Sequence, residues 1–441
     1  MVTRLLKPIF LKRFMRSVQT EGWKAAINKS LYYGRLLMHE GGRSAVEQTH
    51  PAPTAPPQHY GESMWRLLAE KDAFHISAAP ALLSKKRYIA IIGDLNLPQC
   101  RKYRVEQLAE FWRLRGVSVK FAHYEDAPRC SNIMQSATHL ILYRLQSLPA
   151  CTMFQYEARR LRLPVLYDID DPLFSVSAYE TYKNISELDP ALKSHFIAQA
   201  PKYLDVMNAA DILTMSTPGL VEHARLYSPR PVYLRRNFAD ETTLRLGTVA
   251  RETAASQSEG DGLFRVGFVS GSHGHEIDFR EIQDRLIEFV MDKPNRRLTI
   301  IGRFDTQKLP KRVQNRVEMH PFTDYATYMK LLATVDCVVM PLCDVVFNRC
   351  KSAVRVLDAA SVGVPAIVSS VGDLHTLVKS GETGFVAARN QDFSDALNTL
   401  AADPKAAQVM GQKARQNIED NWSGQDVPHI IDPEIMRWVT A

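Results

Sequence analysis

Residues 341–370 read PLCDVVFNRCKSAVRVLDAASVGVPAIVSS. An apolar strand closes at Pro341 and Leu342, a short loop follows, and Asn348, Lys351 and Ser352 open a helix. Gly363, Val364 and Pro365 end that helix and launch the next strand. Free backbone N–H groups and the helix dipole make the opening turn favourable for phosphate, and Lys351 adds a full positive charge there. Ser352, Arg355 and, in the following turn, Asp358 share one helical face, where a carboxylate can accept both hydroxyls of a ribose diol. A structural account fits the same residues: Asn348 caps the first turn while Arg355 and Asp358 pair at i, i+3 on the surface. Local physics leaves the two accounts even.

Outward from this unit the chain alternates strands and helices. On either side lie the apolar runs Phe264–Val269, Leu298–Ile301, Val317–His320, Cys337–Met340, Ala366–Val368 and Gly384–Val386, with helical stretches between them. An earlier series repeats the pattern with Tyr88–Gly93, Val117–Tyr124, His139–Leu145, Val165–Ile169, Ile212–Ser216 and Val232–Leu234. Continuous apolar strands alternating with helices imply parallel sheets covered on both faces. The expected fold is therefore α/β, with two tandem doubly wound, Rossmann-like domains and a cleft between them. The first spans 87–240 and the second 263–424. Residues 241–262 lose apolar periodicity and read as the linker, and the tail 425–441 could return to the first domain. Such sheets bind ligands at the carboxyl ends of their strands.

Several residues fall at those ends. Ser270, Gly271, Ser272 and His275 follow the first strand of the second domain, and two glycines in that loop let a backbone approach a pyrophosphate. The loop is neither G-x-G-x-x-G nor a Walker loop, and an ordinary turn is the competing reading. Arg303 follows Gly302 on the same sheet edge. In the first domain, Asp168, Asp170 and Asp171 close a strand. Their D-x-D spacing admits a divalent metal, but the phosphate-binding features lie in the other domain, so an acceptor-side or structural role is expected and no metal. Arg101 and Arg104 stand at a helix start, where cations oppose the dipole and suit an acceptor phosphate. Hydrolase, metalloprotease and kinase signatures are absent from the sequence.

With 441 residues the chain exceeds one ordinary core, and 45% hydrophobic with 23% charged residues is globular. A net charge of +7 is too dilute to indicate nucleic acid. Six cysteines without a C-x-x-C pair read as reduced thiols in the cytosol. No apolar stretch reaches the ~18–20 residues of a membrane helix. Positive charge concentrates in residues 1–40, at Arg4, Lys7, Lys12, Arg13, Arg16, Lys24, Lys29 and Arg35, beside an apolar stripe of Leu5, Leu6, Ile9, Phe10, Phe14 and Val18. Such a helix suits an anionic membrane surface or packs on its own protein. A Pro-rich stretch at 47–60 joins this extension, residues 1–86, to the first domain.

Gly271, Gly302–Arg303, the phrase Leu357-Asp358-Ala359-Ala360-Ser361-Val362-Gly363-Val364-Pro365 and Gly381-Glu382-Thr383-Gly384-Phe385 occur in this order within one domain. Residues 264–423 thereby resemble the nucleotide-binding domain of retaining glycosyltransferases of the GT-B fold, family 4 (group 1). Phe347-Asn348-…-Lys351-Ser352, with His275, Asp278 and Phe279, is similar to a branch of bacterial surface-polysaccharide assembly. The resemblance covers roughly 87–423. It implies a nucleoside-diphosphate-sugar donor, a glycan or lipid-linked acceptor, and no metal or other cofactor; the reduced thiols point to the cytoplasm, and residues 1–40 to the inner face of the membrane. It also implies roles. Lys351, Arg303 and Asn348 would serve catalysis. Ser270, Gly271, Ser272, His275, Ser352 and Arg355 would hold the donor, with Asp358 on its ribose. Arg101, Arg104, Asp168 and Asp171 would face the acceptor. The family's usual glutamate pair departs here: Asp358 takes the second place and Cys350 the first. A non-catalytic nucleotide-sugar-binding or scaffold protein of the same fold is the alternative.

Overall fold

The strands form where β-branched and aromatic residues run uninterrupted, because a central parallel strand is covered on both faces. The computed structural model describes residues 86–440 apart from 183, 185–189, 258–260 and 272–273, together with Trp23 and Ile27. Apart from Trp23, Ile27 and Lys86, the extension 1–86, with its basic stripe and Pro-rich stretch, lies outside the described residues, as does Ser272.

The first sheet comprises β1 (Tyr88–Gly93), β2 (Ser118–His123), β3 (His139–Tyr143), β4 (Val165–Ile169), β5 (Ile212–Met215) and β6 (Val232–Leu234). The second comprises β7 (Phe264–Ser270), β8 (Arg296–Gly302), β9 (Val317–Pro321), β10 (Cys337–Met340), β11 (Ala366–Ser369) and β12 (Gly384–Ala387). All pairings within these sheets are parallel. Their orders are β2-β1-β3-β4-β5-β6 and β12-β11-β10-β7-β8-β9. These are two doubly wound, Rossmann-like domains, as the alternation implied. The order reverses between β1 and β3 in one sheet and between β7 and β10 in the other, and a crevice opens at each such point.

Residues 241–262 are not an irregular linker: Glu241–Gln257 is a helix. Its fully buried positions, Thr243, Gly247 and Ala250, are spaced as a helix but small, and Leu244 and Leu246 pack half-buried beside them, so the apolar periodicity is weak. A Cβ at Gly247 would collide with the Ser361 carbonyl, so the glycine lets this helix lie against helix Val354–Ser361. The tail packs on the first domain, where Ile430, Ile431, Ile435 and Val439 share a core with Ile89, Val105 and Trp112.

The two domains also share packed surface. Phe347, on a short helical turn at Val346–Arg349, enters the first domain's core with Cys350. Its ring stacks on Tyr182 with centroids 4.1 Å apart. The Thr217 hydroxyl donates to the Cys350 carbonyl at 3.0 Å, and Gly219 leaves room for the Arg349 carbonyl.

Candidate functional site

The loops after β7 and β10 meet at the second sheet's switch point, and Asp278 organises them. The Asn348 amide donates to Asp278 Oδ1 at 2.8 Å, and the Cys343 backbone N–H donates to the same oxygen at 3.1 Å. Asn184, from the first domain, donates to Oδ2 at 3.0 Å, and His275 Nδ1 lies 3.3 Å from that oxygen. Burial would raise the Asp278 pKa, but His275, Lys351 and these donors bring it down to about 2. Burial depresses the His275 pKa to about 4, so its ring is neutral near pH 7. Asp278 was visible in the sequence only as part of a family phrase. Its spacing of three from His275 inside a helix was the available signal.

Lys351 is half-buried, with Nζ 5.2 Å from the Phe347 ring centroid and 5.7 Å from that of Tyr182. Burial opposes its charge, while Tyr182, Asp171 and Asp278 restore it and raise the pKa. Among the described residues no carboxylate reaches ion-pair distance of it. Arg355 donates to the Val269 carbonyl at 3.1 Å, half-buried beside Asp278. Arg303 is exposed, held at its backbone by the Ser270 carbonyl at 2.8 Å, its guanidinium 5.3 Å from the Phe322 ring. Ser270 is buried, whereas Gly271 is exposed and a Cβ there would meet nothing within 4 Å. No atom of the described residues therefore demands glycine at 271.

Several expected roles are corrected. The helix begins at Val354, after Ala353, so Lys351 and Ser352 belong to the loop before it rather than to its first turn. Ser352 accepts a 3.2 Å hydrogen bond from Asn237. Asn348 is fully buried, and its amide also donates to the Cys343 carbonyl at 3.0 Å. It positions the loop from behind and does not reach the cleft. Asp358 does not pair with Arg355, nor does it face the cleft. It is 3% exposed and accepts from the Tyr103 hydroxyl at 2.6 and 2.7 Å and the Tyr325 hydroxyl at 2.7 Å. Burial raises its pKa against the pull of Lys102 and these phenols.

The acceptor-side expectations change as well. Arg104 is 1% exposed and grips Asp168 in two parallel bonds of 2.9 and 2.6 Å. Asp168 also accepts from Arg235 at 3.2 Å and Thr214 at 2.7 Å. Both are spent inside the first domain. Arg101 lies on the surface, paired with Glu106 at 2.7 Å. The cause is local: Lys102–Glu106 is a π-helical turn, and its extra residue per turn redistributes the basic run. Lys102 reaches Asp240 at 3.3 Å and Thr243 at 2.7 Å, Tyr103 reaches Asp358, and Arg104 turns back to Asp168. Of the four acceptor-side candidates, Asp171 is half-buried just past the end of β4, and burial raises its pKa against the pull of Lys351. Among the described residues no group of three or more His, Cys, Asp or Glu is placed to hold a metal ion.

Residues 276–417 match the family described as "Glycosyl transferases group 1". A stretch of 65 residues is 35% identical to D-inositol 3-phosphate glycosyltransferase from Kribbella flavida, covering 14% of this chain and 15% of that protein. Among solved structures, sucrose-phosphate synthase from Thermosynechococcus elongatus superposes with a TM-score of 0.52 at 15% identity, over 77% of this chain and 95% of that one. WaaG, a glycosyltransferase involved in lipopolysaccharide biosynthesis, gives 0.52 at 14% identity, over 80% and 100%. HepE of Anabaena in complex with UDP-glucose gives 0.50 at 15% identity, over 80% and 99%. The match to glycosyl transferases group 1 thus falls within the second domain, and the paired domains share the GT-B fold of these solved structures.

Proposed function

We propose that the protein is a glycosyltransferase that moves a sugar from a nucleoside diphosphate to an acceptor hydroxyl, with retention at the anomeric carbon. Lys351 carries the reading. It is a half-buried ammonium without a carboxylate at ion-pair distance among the described residues, standing where the loops after β7 and β10 converge. The departing diphosphate gains charge as the C1–O bond to phosphate breaks and the acceptor oxygen bonds to C1. Lys351, Arg355 and Arg303 stabilise that charge, and the uncrowded Gly271 loop lets backbone approach the phosphates. The acceptor proton passes to the leaving phosphate oxygen, a same-face course that needs no separate base and no metal.

The fold shared with WaaG and HepE supports a UDP-type donor and a glycan or lipid-linked acceptor in bacterial surface-polysaccharide assembly. Residues 1–40 would hold the enzyme on the inner face of an anionic membrane. Trp23 and Ile27, helical and one turn apart, are both exposed, which supports a lipid-facing stripe. Among the described residues no helix is long and apolar enough to cross a membrane. Flotation with anionic vesicles should fall when residues 1–40 are removed, and equal flotation would refute the anchor.

A thermal-shift screen of UDP, GDP, dTDP and their sugars reads donor binding directly. Lys351→Ala should lower turnover at least 100-fold, the order seen when one transition-state donor is removed, with its melting temperature kept. Near-normal turnover would remove Lys351 from the site. A non-catalytic binding or scaffold protein is the second reading, favoured by Cys350 in the first acid position and by the tyrosines that occupy Asp358. Release of nucleoside diphosphate from donor, even slowly, would exclude it.

A further inference from the structure

Lys351 stands on a stretch without regular structure: residues 351–353 are neither helix nor strand. A charge that serves a transition state must be held to within about 0.5 Å, so something outside the stretch has to fix it. Its own domain contributes at two backbone points. The Lys351 N–H donates to the Asn348 carbonyl at 3.0 Å, and the Lys351 carbonyl accepts from the Asp373 N–H at 3.0 Å.

The other supports come from the first domain, and they flank the lysine on both sides. Cys350, just before it, accepts through its carbonyl from the Thr217 hydroxyl at 3.0 Å. Ser352, just after it, accepts from the Asn237 amide at 3.2 Å. Arg236 grips the carboxylate of Asp373 in two bonds of 2.7 and 3.0 Å. Thr217 follows β5, and Arg236 and Asn237 follow β6. Each is itself anchored. Thr217 is fully buried and caps the helix Pro218–Arg225 by accepting from the Leu220 N–H at 3.1 Å. Asn237 accepts from Arg104 Nη1 at 3.0 Å, and Arg236 donates to the His429 carbonyl at 2.6 Å. Gly219 brings that same helix against the lysine's loop, since a Cβ there would lie 2.5 Å from the Arg349 carbonyl oxygen. Phe347, at the start of the loop, is pinned by its stack on Tyr182, the rings 8° from parallel.

We infer that Thr217, Asn237 and Arg236 are positioning residues for Lys351, so that the first domain sets the ammonium that meets the donor's diphosphate. This rests on the proposed glycosyl transfer and adds to it residues outside the donor domain. Anything that parts the two domains thereby withdraws the ammonium from the diphosphate. The buried Arg104–Asp168 pair acquires a purpose in the same scheme: it holds Asn237 against Ser352.

The test uses the full chain with UDP, GDP and dTDP as probes, read by calorimetry and, for weak binders, by NMR titration. Gly219→Ala adds one methyl to a helix, where alanine is the better helix former, and forces the Arg349 carbonyl back by about 1 Å to reach ordinary contact. Thr217→Val removes the hydroxyl at similar volume. Each should weaken the tightest-bound nucleotide at least fivefold, about the worth of one net hydrogen bond, with folding checked by circular dichroism. Thr217→Ser, which keeps the hydroxyl, should restore binding. Repeated in a Lys351→Ala background, the losses from Gly219→Ala and Thr217→Val should shrink at least threefold, because no ammonium remains to be placed. A merely structural role would give equal losses in both backgrounds. The inference falls if either folded variant loses less than fivefold, if Thr217→Ser loses as much as Thr217→Val, or if the losses in the two backgrounds agree within threefold. If the wild-type protein bound none of the three nucleotides, the glycosyltransferase reading itself would fall, and this inference with it.

Discussion

Asp168→Asn separates a structural carboxylate from an acceptor ligand. The substitution keeps shape and can still accept from Thr214, but it removes the charge that balances Arg104 and Arg235, all of them nearly fully buried. Replacing a buried ion pair entirely is often neutral, whereas removing one partner costs about 3–5 kcal/mol because the other charge is left uncompensated. For a domain of this size each kcal/mol lowers the melting temperature by about 2–4 °C, which gives a fall of about 6–20 °C. Arg104→Met combined with Asp168→Asn should recover part of it. The pH dependence has a definite sign. Burial alone would raise the Asp168 pKa, but Arg104 and Arg235 overcome it and hold the value below the ordinary one. A carboxylate depressed on folding stabilises fully above its unfolded pKa of about 4, and that contribution is lost as pH falls through the folded value. The gap in melting temperature between wild type and Asp168→Asn should therefore narrow below about pH 4. Differential scanning fluorimetry from pH 3 to 8 measures both effects. A variant that melts within about 2 °C of wild type at pH 7, well under the expected fall, would show that Asp168 is not balancing buried guanidinium charge.

Tyr103→Phe removes the first-domain donor to Asp358 and leaves a buried carboxylate short of a hydrogen bond, at a cost of about 1–3 kcal/mol in chemical denaturation. A change under about 0.5 kcal/mol, the ordinary surface level, would mean that water already solvates Asp358. His275, whose pKa burial lowers to about 4, should stay neutral from pH 6 to 8 and impose no limb on the activity profile there. Because that value lies below the unfolded 6.5 or so, its share of stability is present above pH 6.5 and is lost as pH falls toward 4. Titration of its ring by NMR with a midpoint near 6.5 would contradict the burial.

The strands were legible because a covered parallel strand needs nothing but apolar residues, and every apolar run noted in the sequence became one. Fold class and switch points follow from that pattern alone. The helix at 241–257 was hidden because its fully buried positions are Thr243, Gly247 and Ala250, where close approach replaces apolar bulk and only Leu244 and Leu246 add half-buried apolar contact. Asp240, which accepts from the Thr243 N–H at 2.7 Å, is the capping signal that could have revealed its start.

The site divides along a physical line. A residue's place at a strand's carboxyl end is a local property, and His275, Arg303 and Asp171 were placed there by sequence alone, whereas Lys351, read as a helix start, lies in the loop before that helix. Whether such a residue is available to a ligand depends on what the rest of the chain brings against it, and no spacing encodes that. Tyr103 lies 255 residues from Asp358, yet the π-helical turn at 102–106 aims it there and so converts an expected ribose ligand into part of the contact between domains. The same turn sends Arg104 to Asp168, 64 residues away, and removes both from the acceptor side. One inserted residue in a helical turn thus redirects three side chains. Lys351, with no carboxylate at ion-pair distance among the described residues, is left outside that pairing.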